Sequence, residues 1–357
     1  MTASSSPALW SDRTPLLVLG TGTALPGEAI STEHLLALVD HRFGLSLRRR
    51  GMAVARKLGI RTRHLCRDLA LRVEAPRKGN RNPELAARAV RRALNAAGLT
   101  AKDLSYLVGH TATPARLLPP NVGEVAELLD YGGPFVEFRQ ACTGFANALI
   151  FAQGVLRAGA GPVAIVGSET GSIFFDPQRA SEDPGQLVNL VQMGDGAAAI
   201  ILARDNDCDG ARLSHVYYGQ WGRGRTSGLA VADGGSDAPR CRLGFPEFHH
   251  DFAAIRRSGL DLLAHCSTMA AYAGSGCADY ILPHQANGRI DIILAGQLGI
   301  AAERIVVTAD RMGNTGSAAI WLALAQMRPT LETGRTVLAL GAEATDFMFG
   351  GFLYRHG

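Results

Sequence analysis

The sequence predicts an α/β fold built from two similar halves, and three observations carry that prediction. Residues 135–170 (FVEFRQACTGFANALIFAQGVLRAGAGPVAIVGSET) read as strand, sharp turn, helix and strand, and residues 305–344 read the same way. The two segments superpose with Cys142-Thr143-Gly144 on Asn314-Thr315-Gly316, Ala146 on Ala318 and, after a small slip, 163–167 on 337–341; residues 107–110 also match 281–284. Such a duplication places Cys142 and Asn314 at corresponding helix starts, related by an approximate two-fold axis and facing one shared site. The third observation is compositional: 47% of the 357 residues are hydrophobic, only 6% are aromatic and 42 are glycine, which suits a packed α/β chain rather than a fibrous or disordered one.

In chain order, residues 1–14 read as a loose, Ser-rich tail, 15–205 as the first half and 206–357 as the second. Residues 16–19 form a buried strand that runs into Gly20-Thr21-Gly22-Thr23-Ala24-Leu25-Pro26. A dinucleotide fingerprint would need glycine where Leu25 stands, so this stretch reads as a tight turn out of the first core strand. Ser31 or Thr32 caps the next helix, which leads through Arg48-Arg49-Arg50 and Arg56-Lys57 to 58–64. Asn82-Pro83-Glu84 opens a helix to Ala97, 104–108 is a strand, and 114–121 is a proline-rich loop. Residues 146–156 form a buried helix, 163–167 a strand and 172–191 an irregular surface segment; Asp195 holds a turn before the next strand. A strand at 213–218, a helix at 246–266 and a strand at 280–282 follow.

Chemistry concentrates where the duplicated segments meet. Cys142 sits at a helix N-terminus, where orphan N–H groups and the helix dipole favour the thiolate; the alternative for such a cysteine is a small buried hydrophobe. Glu169, just beyond its strand, is either an accessory base or a side chain bonded to loop amides. His249, His250 and His265 lack the spacing of a metal site, and no metal is expected. The cysteines at 66, 142, 208, 241, 266 and 277 form no C-x-x-C pair, which points to a reducing cytoplasm. A net charge of +4 admits an acidic partner but is too small to argue for nucleic acid, and no apolar run reads as a membrane span.

Three motifs, Ala141-Cys142-Thr143-Gly144-Phe145, His284-Gln285-Ala286-Asn287 and 313–319 (GNTGSAA), resemble the active-site motifs of the β-ketoacyl-ACP synthase III family. The resemblance extends from about Leu16 to Arg355 and implies a thiolase-like fold with duplicated halves in αβαβα layers. It also implies that Cys142, His284 and Asn314 are catalytic, with Leu118 and Phe145 in the acyl pocket and Arg61, Arg256 and Arg289 contacting a carrier or CoA. The implied reaction loads an acyl group on Cys142, with no cofactor beyond the phosphopantetheine thioesters, and condenses it decarboxylatively with malonyl-ACP or malonyl-CoA. The setting is fatty-acid initiation or secondary metabolism, and the Leu118 loop implies a homodimer. Alternatives are an enzyme fusing a β-ketoacyl thioester with a second acyl thioester, as in dialkylresorcinol, cyclohexanedione or pyrone formation, and a catalytically silent partner subunit. The chain departs from the family pattern by lacking a tryptophan between Trp10 and Trp221 and by carrying Glu343 near the expected oxyanion-hole glycine.

Overall fold

The computed structural model describes residues 9–69, 76–206, 208–231 and 248–357. The chain opens with β1 (Leu9–Asp12), β2 (Leu16–Ala24), β3 (Ile30–Ser31), α1 (Thr32–Phe43), α2 (Arg48–Leu58) and β4 (Thr62–Arg63). The first half continues through α3 (Asn82–Ala97), β5 (Tyr106–His110), α4 (Asn121–Leu129), β6 (Phe135–Phe138), α5 (Gly144–Arg157), β7 (Val163–Thr170), α6 (Pro177–Glu182), α7 (Pro184–Gln192) and β8 (Asp195–Arg204). The second comprises β9 (Arg212–Gln220), β10 (Leu229–Val231), β11 (Phe248–His250), α8 (Phe252–Tyr272), β12 (Tyr280–Pro283) and α9 (Ile290–Leu298). It ends with α10 (Ala309–Met312), α11 (Ala319–Met327), β13 (Thr336–Glu343) and β14 (Met348–Arg355).

Strand order repeats. One half-sheet runs β6-β5-β7-β8-β2; the other runs from a parallel bridge at Ile305 through β12, β13 and β14 to β9. In each, parallel neighbours are followed by an antiparallel strand, β8 beside β7 and β14 beside β13. Leu16 and Leu17 of β2 pair with Leu213 and Arg212 of β9, joining the half-sheets into one ten-stranded sheet.

Both faces of each half-sheet are covered. Val163 and Ile165 of β7 pack with α5 and α11 in the middle layer, whereas Ala164 and Val166 pack with α3 and α4 outside. In the second half Val337 and Ala339 face the same middle layer, and Leu338 and Leu340 meet α8 and α9. The result is α3/α4, sheet, α5/α11, sheet, α8/α9, the predicted layering. Two-sided burial explains why these strands read as continuous apolar runs. At the centre, Trp321 and Phe352 stack with ring centroids 5.5 Å apart, and Phe145 meets both edge-to-face at 5.9 and 5.7 Å.

Several local expectations are revised. Residues 20–24 do not turn out of the strand; they extend β2. The glycines serve helix packing, because a Cβ on Gly20 or Gly22 would lie 2.4 or 2.3 Å from the α3 backbone at Ala93 or Ala89. Leu9–Asp12, read as tail, pairs antiparallel with β9. The segment 172–191 is helical in α6 and α7, started by Asp176 and Asp183 side-chain caps with proline next, and the whole of 186–192 is buried. A helix was expected to begin at 246; instead β11 precedes it and α8 starts after Asp251, whose side chain accepts from the Ala254 N–H.

Trp321 Nε1 donates to His110 Nε2 at 3.1 Å, tying the middle layer to β5. Burial lowers the His110 pKa to about 3, and those of His250 and His284 to about 4. The unfolded chain protonates its histidines near the ordinary value of about 6.5, so stability is full above that pH and is lost as pH falls toward the folded values. We expect the urea midpoint to drop as pH falls from about 7 to about 5, with His110→Gln showing a slope shallower by up to roughly 1.4 kcal/mol per pH unit. Equal slopes in the two proteins would refute this assignment.

Candidate active site

Cys142 lies in the turn between β6 and α5, one residue before the cap position Thr143. Gly144 follows because the His110 ring lies beneath it: an added Cβ would come within 2.7 Å of His110 Nδ1. Asn314 occupies the corresponding turn of the second half. Its N–H donates to the Gln192 carbonyl at 2.8 Å, and its carbonyl accepts the Gly194 N–H at 3.0 Å. The Gly316 N–H donates to Asn314 Oδ1 at 3.0 Å. A backbone N–H can only donate, so this bond fixes the amide orientation and leaves Nδ2 as the free donor.

His284 caps the end of β12, its N–H donating to the Leu340 carbonyl at 2.7 Å. Gln285 holds the adjoining loop, donating to the Val306 carbonyl at 2.7 Å and accepting from the Thr308 and Ala309 N–H groups at 2.6 and 3.0 Å. With a pKa near 4, the His284 imidazole is neutral at neutral pH, and its Nδ1 is buried without a hydrogen-bond partner among the described residues.

Cys142, His284 and Asn314 line one cavity of about 380 Å³. Its walls are largely apolar, drawn from Ile255, Leu262 and Leu263 of α8, Ile290 and Ile293 of α9, and Phe347. Exposed Lys57 and Leu260 also line it. His250 also lines the cavity, its Nδ1 paired with Asn189 Oδ1. Sequence reasoning missed it by placing residues 246–266 in a helix and testing His250 only as a metal ligand; Phe248-His249-His250 as a short strand was the overlooked signal. Among the described residues no cluster of three His, Cys, Asp or Glu side chains is arranged to hold a metal ion.

The thiol's electrostatics oppose the helix-terminus expectation. Burial pushes the Cys142 pKa well up, and the Glu343 and Glu169 carboxylates push it further. The resting group is a protonated thiol.

Other candidates fall elsewhere. Glu169 does not line the cavity: it lies within β7, buried, accepting from Thr113 Oγ1 and from the Ser317 N–H and hydroxyl at 3.0 and 2.8 Å. Held by these donors and away from the cavity, it fits the alternative reading, a side chain bonded to loop groups, rather than that of accessory base. Phe145 is fully buried in the aromatic centre and is not a wall of the cavity. Leu118 is 82% exposed and does not reach this chain's own cavity. Asp195, expected to hold a turn before the strand, instead begins β8 and ties two distant segments to it, accepting from the Cys66 and Ser172 N–H groups at 2.6 and 2.9 Å. Arg61 is an exposed partner of Asp310, and exposed Arg289 runs its stem over Gly59. The Gly288 N–H donates to the Leu58 carbonyl at 2.8 Å, so both arginines flank the Lys57 side of the cavity. The side chain of Arg256 lies outside the described residues.

Comparison with known proteins finds similar families and structures. Residues 136–222 match the family described as 3-oxoacyl-[acyl-carrier-protein (ACP)] synthase III, and 275–355 match its C-terminal counterpart. The β-ketoacyl-[acyl-carrier-protein] synthase III of Sphingopyxis alaskensis is 30% identical over 324 residues, covering 86% of this chain and 88% of that protein. Its namesake from Rhizorhabdus wittichii is 29% identical, covering 95% and 99%. Among solved structures, the tetronic acid condensing enzyme AbyA1 superposes with a TM-score of 0.82 at 28% identity, covering 95% of this chain and 99% of that one. The synthase III of Pseudomonas aeruginosa PAO1 gives 0.77 at 26% identity, covering 96% and 98%. Xanthomonas campestris OleA, at 17% identity and 0.77, shares the fold.

The reassignment of Phe145 has a direct test. Phe145→Ala should cost about 3–5 kcal/mol in denaturant unfolding, as expected for a large core side chain. A loss below about 1 kcal/mol would return Phe145 to the cavity wall.

Proposed function

The chain belongs to the β-ketoacyl-[acyl-carrier-protein] synthase III family, whose members are acyltransferases that form carbon–carbon bonds, and we propose that Cys142, His284 and Asn314 carry that chemistry here. The observation that carries the reading is the convergence of a thiol, a neutral imidazole and an amide with its NH₂ left free on one apolar cavity. Cys142 attacks the carbonyl of an acyl thioester; the sulfur–carbonyl bond to the carrier breaks, and the thiol proton leaves with the departing carrier thiol. Cys142 and Ala344 both line the cavity, past the end of β6 and of β13. Their backbone N–H groups receive the oxyanion.

A malonyl thioester then enters. As it loses carbon dioxide, the imidazole Nε2–H of His284 and Asn314 Nδ2 hold the thioester oxygen of the resulting enolate. Its carbon attacks the acyl-enzyme, forming the new bond and breaking the one to Cys142, whose thiolate takes a proton from water. An enolate stabiliser is needed for carbon–carbon bond formation, whereas simple acyl transfer to an alcohol or amine does not require one. Substrates are phosphopantetheine thioesters on CoA or an acyl carrier protein, approaching along the Lys57, Arg61 and Arg289 side, where positive charge suits an acidic carrier. The exposed Leu117 and Leu118 support a homodimer formed through their loop.

A second reading, fusion of a β-ketoacyl thioester with another acyl thioester, is supported by the likeness to the tetronic acid condensing enzyme. In that case a β-ketoacyl thioester rather than a malonyl group discharges the acyl-enzyme.

Intact mass after incubation with a panel of acyl-CoA and acyl-ACP thioesters tests these readings. Wild type should gain an acyl adduct that malonyl-ACP discharges into a product two carbons longer, and Cys142→Ala should gain none. Discharge only by a β-ketoacyl thioester would select the second reading, while no adduct from any donor would sink the nucleophile assignment. His284→Ala should still load but condense at least about a hundredfold more slowly. Arg289→Glu should raise KM for a carrier-bound thioester about tenfold and leave a short N-acetylcysteamine thioester unaffected. An equal effect on both substrates would argue against docking there.

A further inference from the structure

We propose that Glu343 is a positioning residue for the reacting thiol, bracing the Cys142-Thr143 turn against the second half in partnership with Glu169, its counterpart in the duplication. The inference rests on the reading of Cys142 as nucleophile. The register that lays 163–167 on 337–341 also lays Glu169 on Glu343. Both are 2% exposed, at the end of β7 and of β13. Each reaches into the opposite half at the start of a middle-layer helix. Glu169 Oε2 takes the Ser317 N–H and hydroxyl ahead of α11, whereas Glu343 Oε2 takes the Thr143 N–H at 2.9 Å and hydroxyl at 2.7 Å ahead of α5.

The two carboxylates are joined through the turn itself. Ser317 Oγ, whose proton goes to Glu169, lies 3.2 Å from the Gln140 carbonyl oxygen, and Gln140 Nε2 donates to Thr143 Oγ1 at 2.8 Å. The sequence Glu169, Ser317, Gln140, Thr143, Glu343 therefore forms one chain of contacts past Cys142. The other Glu343 oxygen accepts from Thr345 Oγ1. Ala342 and Ala344 line the cavity and Glu343, between them, does not, so its carboxylate holds the turn without touching substrate.

The titratable groups around the turn are Glu343, Glu169, His284, His110 and Tyr218. The imidazoles are held neutral by burial, and burial keeps the Tyr218 phenol above its ordinary value. Burial raises the pKa of the thiol, and the Glu343 and Glu169 carboxylates raise it further.

The test follows iodoacetamide alkylation of Cys142 by peptide mass across pH, alongside acyl loading, in wild type, Glu343→Gln and Glu343→Ala. The glutamine keeps an acceptor for Thr143 but removes the charge, so the alkylation midpoint should move down by about one pH unit or more with loading within about threefold of wild type. The alanine removes the brace, and loading should fall at least about tenfold. If the alanine variant does not fold, the glutamine midpoint decides alone. An unshifted midpoint in folded Glu343→Gln, or wild-type loading by folded Glu343→Ala, overturns the proposal, even where thermal stability drops. Acyl loading of Cys142→Ala would instead overturn the nucleophile reading, and the alkylation shift at Cys142 remains measurable in wild type and Glu343→Gln in that case.

Discussion

Helices α5 and α11 are packed between two half-sheets, and most of the site's organisation follows from that burial. A helix enclosed on both sides must be apolar nearly all round, as the runs from Gly144 to Arg157 and from Ala319 to Met327 are. Its first N–H groups still need acceptors, and so far from solvent those acceptors must be protein atoms. Glu343 supplies one for Thr143, Glu169 one for Ser317, and Asn314 uses its own oxygen for Gly316. Each buried acceptor orders a neighbouring functional group, so the polarity that burial demands also arranges the chemistry.

The same burial sets the protonation states. It keeps the thiol protonated and His284 neutral, and the carboxylates bracing the helix starts strengthen the first effect. A resting site of neutral groups in an apolar cavity avoids an unpaired buried charge and lets donors act fully when negative charge develops on a substrate oxygen. The helix dipole acts on the thiol in the opposite direction but does not outweigh burial beside two carboxylates.

Polar surface and apolar interior divide the work of recognition. Lys57, Arg61 and Arg289 gather on one side because the end of α2 is docked on the 286–289 loop by the Gly288 to Leu58 bond. The wall beyond the three reactive groups comes from α8 and α9, with His250 as a polar interruption beside Asn189. Most of the apolar wall thus comes from second-half side chains outside the duplicated motifs, with Leu58 added from the first half.

The sequence by itself determined the fold class, the internal duplication and the three residues on which the cavity converges, because apolar periodicity and the repeated helix-start turns are local patterns. The Ser31 cap and the helix Asn82–Ala97 were likewise legible from short-range capping chemistry. The tertiary structure alone decided the roles of Glu169, Phe145 and Glu343, since what a buried carboxylate or aromatic ring does depends on partners contributed from distant positions. It also showed that Gly20 and Gly22 answer to α3 rather than to a turn, and it brought His250 to the cavity. Their functions arise from contacts between elements far apart in the chain, which no pattern within a single segment records.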